Sequence, residues 1–421
     1  MKIDLPYGTN GSSVEVPERN LAGILRPAEY NVKETPEQLI RNALQNPDGT
    51  KKLSDIVKAK KKKDVVAVVV DDHTRPCPTD KMLPFLLEEL YSAGVRDENI
   101  LIIFATGSHR TTTKEEAGKL LGKDIASRIR YISNDSLGND FVDIGTTKRG
   151  TKVMLKKAFY DADVKILTGD VEIHYFAGYG GGRKSILPGI VNYATIQDNY
   201  KRNFFSPDAR PAKLDGNPMY ENMTEAARLA KVDYTINVVQ DEKGIVGAYS
   251  GDFDLVLKKG ASLVEKIYMA KAGEKADIVI TSASGSPHDI DLYQAYKALH
   301  LALAVVKDRG SIILLAECPE GPGNRNYESW MKKYKTKEEM RSELDREFNI
   351  GGHKAYYNLL AVEKADIYLV SAMSKDVVEN LYRFKYAKTA DEALQQAFKK
   401  HGKDAKVLVI PEGTNTVSSL R

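Results

Sequence analysis

A chain of 421 residues exceeds what one hydrophobic core usually organises, and its 42% hydrophobic, 29% charged composition is that of a soluble globular protein with two domains. The net charge is only +4 and the basic residues form no concentrated face, which excludes nucleic acid as the main partner. No apolar run approaches the roughly 20 residues of a membrane span, no signal-type apolar core follows Met1, and the two cysteines, Cys77 and Cys318, fit neither a zinc-thiolate nor a disulfide pattern. The expected setting is the cytoplasm, away from membranes.

The opening stretch MKIDLPYGTNGSSVEVPE reads as a hairpin at a sheet edge. TPEQLIRNAL predicts a helix with Thr35 as N-cap, Pro36 at its first position and Gln38 closing a capping box. The run Lys60 to Lys63 reads as a solvated helix end before the apolar strand DVVAVVV (64–70). TDKMLPFLLEELYSAG predicts a helix from a cap at Thr79 to a stop at Gly94. Further strands follow at NILIIFA (99–105), VKILTG (164–169), ADIVITS (276–282), SIILLA (311–316), ADIYLVS (365–371) and AKVLVI (405–410). TKEEMRSELDREF and ADEALQQAFKK are amphipathic helices with acidic starts. Strands that are continuously apolar are buried on both faces, as in parallel sheets between helices. The fold class is therefore α/β, two domains with mainly parallel sheets. GEKADIVITSASG opens a fresh series of units after the helical DLVLKKGASLVEKIYMAKAG, so the domains are expected at 1–270 and 271–421.

In open α/β sheets ligands sit beyond the carboxyl ends of strands. Asp71, Asp72, His73 and Arg75 follow the first strand; His109 and Arg110 the second; Asp170, Glu172, His174 and Lys184 the third; His288, Asp289, Tyr293, Gln294 and Lys297 the fourth. A single such histidine is ordinarily a surface or capping residue, but four of the chain's seven fall in these clusters, which tips the balance toward an active site. Part of each cluster has a plainer reading: Asp71 or Asp72 as a turn cap, Arg110 as a surface charge.

The stretch HYFAGYGGGRKSILPGI (174–190) is rich in glycine, yet Arg183 stands where a Walker A loop needs glycine before its lysine, and the spacing fails the dinucleotide fingerprint. Lys184 has three readings. It is a solvated lysine in a flexible turn. It belongs to a nucleotide loop, which the spacing disfavours. Or it holds a phosphate-bearing cofactor, with Gly180, Gly181 and Gly182 letting backbone N–H groups approach an anion and Arg183 adding a cation that lowers the lysine's proton affinity.

The motifs DDHTRP (71–76), GSHR (107–110), HYFAGYGGGRKSILPG (174–189), GNP (216–218), NVV (237–239) and SPHDIDLYQAYKA (286–298) together resemble the lactate racemase family of nickel-pincer enzymes, in the family's order and over most of the chain. The resemblance implies two α/β domains with the active site in the cleft between them. It implies a cofactor, pyridinium-3,5-bisthiocarboxylic acid mononucleotide carrying nickel, joined covalently to the lysine matching Lys184. It also implies dedicated cofactor-biosynthesis proteins as partners. His109 and His174 match the family's acid/base pair. Arg75 and Lys297 match groups that hold the substrate's carboxylate and hydroxyl, and Asp72, Tyr293 and Gln294 match supporting positions around cofactor and substrate.

The implied reaction removes the C2 hydrogen of a 2-hydroxy acid as hydride while a histidine takes the hydroxyl proton, and two histidines serve the two enantiomers. One position departs from the family. Sixteen residues after the anchoring lysine the family's histidine ligand to nickel is replaced by Tyr200, a poor ligand unless ionised. That change points to a substrate other than simple lactate, with Asn199 and Arg202 as candidate readers of a more polar one. Two other readings stay open: a phosphate- or nucleotide-binding protein without redox chemistry, and a relative that keeps the fold after losing turnover. Nothing in the sequence excludes an oligomer.

Overall fold

The computed structural model describes residues 1–75 and 77–420; Pro76, the last residue of the DDHTRP motif, lies outside it. The chain divides into two compact units. The central unit is Tyr30–Glu265, and the terminal unit joins Met1–Glu29 to the residues from Lys266 onward. The expected division at 270 thus differs from the observed one most at the N-terminus, and the reason is hydrogen bonding. Strand β1 (Leu21–Ile24) pairs in parallel with Val407–Ile410. The predicted hairpin forms between Lys2–Leu5 and Ser12–Glu15 and buries Ile3, Leu5, Val14 and Val16 in the core that also holds Ala393 and Leu394.

The central sheet contains β2 (Val66–Asp71), β3 (Ile100–Ala105), β4 (Arg130–Ser133), β5 (Val164–Asp170), β6 (Tyr234–Asp241) and β7 (Gly244–Gly251). Their spatial order is β7-β6-β5-β2-β3-β4, all parallel except the edge hairpin β6–β7. Val66 to Val70 are all fully buried, as a continuous apolar run on a doubly covered sheet requires. The helix α1 (Thr79–Ser92) follows β2 and contributes Leu83, Leu86, Leu87 and Leu90 to the same core. It starts one residue earlier than predicted: Pro78 is the cap and makes no side-chain capping bond. Thr79 Oγ1 lies 3.7 Å from the Cys77 sulfur. Gly94 ends the turn at φ +84°, the left-handed conformation expected of it. The Thr35–Gln38 capping box forms as read.

The terminal sheet is all parallel. After β1 come β8 (Ala276–Ser282), β9 (Val306–Leu315), β10 (Ala365–Val370), β11 (Lys385–Ala387) and β12 (Val407–Ile410), in the order β11-β10-β9-β8-β12-β1. Helices α2 (Tyr193–Asn203), α3 (Leu292–Ala302) and α4 (Gly352–Lys364) carry the remaining residues of interest. Among the described residues no helix is long and apolar enough to cross a membrane.

Candidate functional site

In the central unit β5, β2 and β3 are adjacent and parallel, so the segments leaving their carboxyl ends are neighbours. Three of the four polar clusters leave from these ends. Asp71 and Asp170 are the last residues of β2 and β5, and His109 follows β3 by four residues.

Asp72 is 1% exposed, and its Oδ2 accepts from His109 Nδ1 at 2.7 Å. Its Oδ1 accepts from the backbone N–H of Thr74 at 3.1 Å and from the Thr74 hydroxyl at 2.6 Å. Burial alone would raise this carboxyl; the hydrogen bond and charge of His109, with Thr74 and Arg75, hold it below its ordinary range instead. An ionised acceptor on Nδ1 fixes the neutral ring with its proton there and leaves Nε2 as the base. In this chain Asp72 orients His109, a contact that its matched place beside the cofactor did not reveal.

His174 has the opposite arrangement. It lies on the two-residue strand Ile173–His174, paired with Gly178–Tyr179, and is 9% exposed. Its Nδ1 accepts from the backbone N–H groups of Phe176 at 3.5 Å and Ala177 at 3.2 Å. The neutral ring therefore carries its proton on Nε2, as a donor. Tyr175 stacks on the ring at 5.1 Å and Phe176 meets it edge-on at 4.3 Å.

Arg75 lies 3.6 Å from Glu172. Burial works against its charge, but Glu172, Asp72 and Asp71 more than restore it. The surrounding acids respond to the same crowding. Burial pushes Asp71 up to about 6, against the pull of Arg75. Burial and then Glu172 push Asp170 up to about 8, although its Oδ2 accepts from Gln240 Nε2 at 2.8 Å.

Lys184 sits in the turn Gly182–Ser185 and is half-buried. Burial, then the charge of Arg75, sets its amine well below the ordinary lysine range; Glu172 opposes this and Arg183 adds to it. The glycines of this loop meet their own chain. A Cβ on Gly180 would lie 2.8 Å from Glu172 Cγ, and one on Gly181, at φ +76°, 2.9 Å from the Asp170 carbonyl. The Gly180 N–H is spent on the Glu172 carbonyl at 2.7 Å.

Arg183, expected to lend its cation to an anion site, is fully buried instead. Its Nη2 donates to the carbonyls of Ala177 at 2.8 Å and Tyr179 at 3.2 Å, and its guanidinium lies 5.0 Å over the Tyr220 ring. Burial lowers it to about 10. It braces the loop from behind and acts on Lys184 through charge.

Tyr200, on α2, is half-buried, meets Phe176 edge-on at 5.1 Å and lies close enough to Arg75 to couple to its charge. Among the described residues no group of three or more His, Cys, Asp or Glu side chains is arranged to hold a metal ion. Asn199 and Arg202, the expected readers of a polar substrate, each have a partner on the protein. Asn199 is buried and accepts from Asn222 at 2.7 Å, and Arg202 pairs with Asp198 at the surface at 2.7 Å. His73 and Arg110 turn toward Glu116, at 4.0 and 2.5 Å.

The fourth cluster belongs to the terminal unit. Asp291 caps α3 by accepting from the Gln294 N–H at 2.7 Å. Tyr293 and Lys297 are four residues apart on this helix and so share a face. Behind them lies Lys354 of α4, 2% exposed. Its amine donates to the Tyr293 carbonyl and sits 4.2 Å over the Tyr293 ring and 5.4 Å over that of Tyr296. Burial and the nearby Lys297 push its amine well below the ordinary lysine range. No sequence pattern singled it out; a lysine in the helical stretch GHKAYYNLLAVEK reads as surface. Asp289 is structural: its Oδ2 accepts from the N–H groups of Gly8 at 2.7 Å and Glu317 at 3.2 Å.

Known proteins resemble this chain along its length. Residues 7–212 match the lactate racemase N-terminal domain and residues 271–418 the lactate racemase C-terminal domain. Lactate racemase from Thermoanaerobacterium thermosaccharolyticum is 33% identical over 425 residues, 99% of this chain and 98% of the relative. The lactate racemase of Lactiplantibacillus plantarum is 34% identical over 430 residues, 99% of each. The lactate racemase apoprotein structure from T. thermosaccharolyticum superposes with a TM-score of 0.93 over all of both chains. A Thermotoga maritima protein, 18% identical with a TM-score of 0.68 and covering 92% of this chain and 98% of its own, shares the fold. With both halves matched in order and a third of all residues shared over the full length, this chain belongs to the lactate racemase family of isomerases.

Proposed function

We propose that this protein is a racemase or epimerase of a 2-hydroxy acid other than simple lactate, working with a nickel-bearing pyridinium mononucleotide joined to Lys184. The observation that carries the reading is the pair of histidines held in opposite tautomers, one presenting a base and the other a donor. Lys184 fits the anchor, because a half-buried amine with a depressed proton affinity is a nucleophile near neutral pH. Tyr200 stands where the family places the protein's nickel ligand. It is our candidate for that place, and the charge of Arg75 lies close enough to interact with it. When bound, the cofactor supplies an acceptor and donor for the C2 hydrogen as hydride.

The chain's own residues do the rest. Arg75 offers a planar fork to the substrate carboxylate. His109 Nε2 takes the hydroxyl proton, and Asp72 stabilises the imidazolium that results, as a buried carboxylate partner does. His174 donates a hydrogen bond from Nε2 to the carbonyl oxygen and polarises it, and the His109 imidazolium gives the proton back when the C2 hydrogen returns. Tyr293, Gln294 and Lys297 are assigned to the substrate, and Gly181 and Gly182 to the cofactor, with proteins of cofactor biosynthesis as partners.

The test is intact mass and nickel content of protein produced together with those partners, followed by a chiral assay over a panel of 2-hydroxy acids. Added mass on Lys184, bound nickel and epimerisation are expected. Full activity with unmodified Lys184 and no metal refutes the reading, and tight nucleotide binding lost in Lys184→Ala without epimerisation favours a phosphate-binding protein.

A further inference from the structure

We infer that Glu172 selects the substrate's charge: it admits 2-hydroxy acids with a single carboxylate and a tail that donates hydrogen bonds, and rejects dicarboxylates. The inference rests on the proposed role of Arg75 as the carboxylate fork.

The geometry begins with Glu172 being held in place. Its carbonyl accepts from the Gly180 N–H at 2.7 Å, and its side chain occupies the space a Cβ on Gly180 would need, 2.8 Å away. From there its carboxylate lies 3.6 Å from the Arg75 guanidinium. Both partners are partly exposed, 30% and 34%, so an incoming anion meets the pair rather than the arginine alone. Asp71 and Asp170 close the neighbouring strands β2 and β5. Among the described residues Asp170 Oδ1 is buried without a hydrogen-bond partner, while Oδ2 accepts from Gln240.

The guanidinium has five N–H donors, enough to share between Glu172 and one substrate carboxylate. With Arg75 shared and Lys184 taken by the proposed cofactor, a second substrate carboxylate faces Glu172, and like charges so placed repel. A hydroxyl or ammonium on the tail is accepted by those oxygens instead. Gly180 has a steric part in this selection, since any side chain there displaces Glu172.

Three probes separate the cases: malate with a second carboxylate, lactate with an apolar tail and glycerate with a hydroxyl. Their dissociation constants are measured by calorimetry on the holoprotein, alongside turnover, for wild type, Glu172→Gln and Arg75→Gln. Wild type is expected to bind glycerate most tightly and malate most weakly. Glu172→Gln is expected to tighten malate by about tenfold, with glycerate changed less than about threefold. Malate bound by wild type as well as glycerate, or an unchanged malate-to-glycerate ratio in Glu172→Gln, overturns the inference. So does absence of binding by all three acids. Binding with the expected ratio but no turnover counts against the proposed reaction and leaves the selection standing. Binding indifferent to Arg75→Gln removes the assigned fork and with it the inference.

Discussion

Each unit buries a lysine beside a second cation, and the two lysines are put to different use. Lys184 rises from a glycine turn, stays half-buried and is faced by Arg75 and Glu172. Lys354 is 2% exposed, on the regular helix α4, with its amine on a backbone carbonyl and two tyrosine rings beneath it. Burial lowers the proton affinity of both. Access separates them: a reactive amine needs a weak hold on its proton and a path to its partner, whereas an amine sealed against aromatic rings serves to place them. Lys354 holds the first turn of α3 through the Tyr293 carbonyl, one turn before Lys297.

The largest effect that would break this comparison is on Lys184. Lys184→Arg keeps a cation but supplies no neutral amine; no cofactor mass on the protein and activity at background are expected, and an active, mass-shifted Lys184→Arg would place the anchor elsewhere. Next comes Asp72→Asn, which removes the ionised acceptor that sets the His109 tautomer. A kcat loss of roughly 10²–10⁴-fold, the usual scale for general base catalysis, is expected with little change in thermal stability; a loss of less than threefold would detach His109 from the reaction.

A smaller effect sharpens the contrast in pH. Asp170 is raised from 3.8 to about 8 on folding. The folded state therefore holds a proton that the unfolded chain has released, so this contribution is complete below about pH 4 and is lost as pH rises to about 8. The lowered lysines work the other way, adding stability as pH rises toward their unfolded value. The difference between wild type and Asp170→Asn isolates the acid: the wild-type melting temperature should fall relative to the variant by roughly 4–8 °C between pH 5 and pH 9. Parallel curves would show that Asp170 does not titrate in this window.

The smallest effect is expected at Lys354. Lys354→Met fills the same space without the charge, and the recovered desolvation offsets the lost hydrogen bond and ring contact, so stability should stay within about 1 kcal/mol. Its consequence should appear in KM, raised about threefold to tenfold for the 2-hydroxy acid with kcat nearly unchanged, as expected when ground-state and transition-state binding are lost together. An unchanged KM would reduce Lys354 to a packing residue.

Much of the site was legible because strand ends are legible. DVVAVVV, NILIIFA and VKILTG announce buried parallel strands, and the residues after such strands gather at one edge of a sheet. That places Asp72, Arg75 and His109 near the His174–Lys184 segment before any coordinates are known. The strands β6 and β7 carry no comparable signal. Their alternation is weak, and β6 opens YTINVVQD with polar residues buried in the sheet, Thr235 and Asn237. The boundary at the N-terminus was equally hidden, since pairing β1 with β12 joins residues almost four hundred positions apart.

The sequence by itself determined the α/β class, the family and the four polar clusters, because hydrophobic period and motif order are properties of the chain. Only the tertiary structure decided which way each polar group faces. Arg183 turns inward to brace a loop, Asp72 turns to His109, and Lys354 packs its amine over two tyrosine rings rather than in water. It also decided the two histidine tautomers, which depend on partners as remote as Asp72 is from His109, 37 residues away, and as near as the N–H of Ala177. Composition and spacing specify which side chains are present; hydrogen-bond partners and burial, set by the packed neighbours, specify what each of them can do.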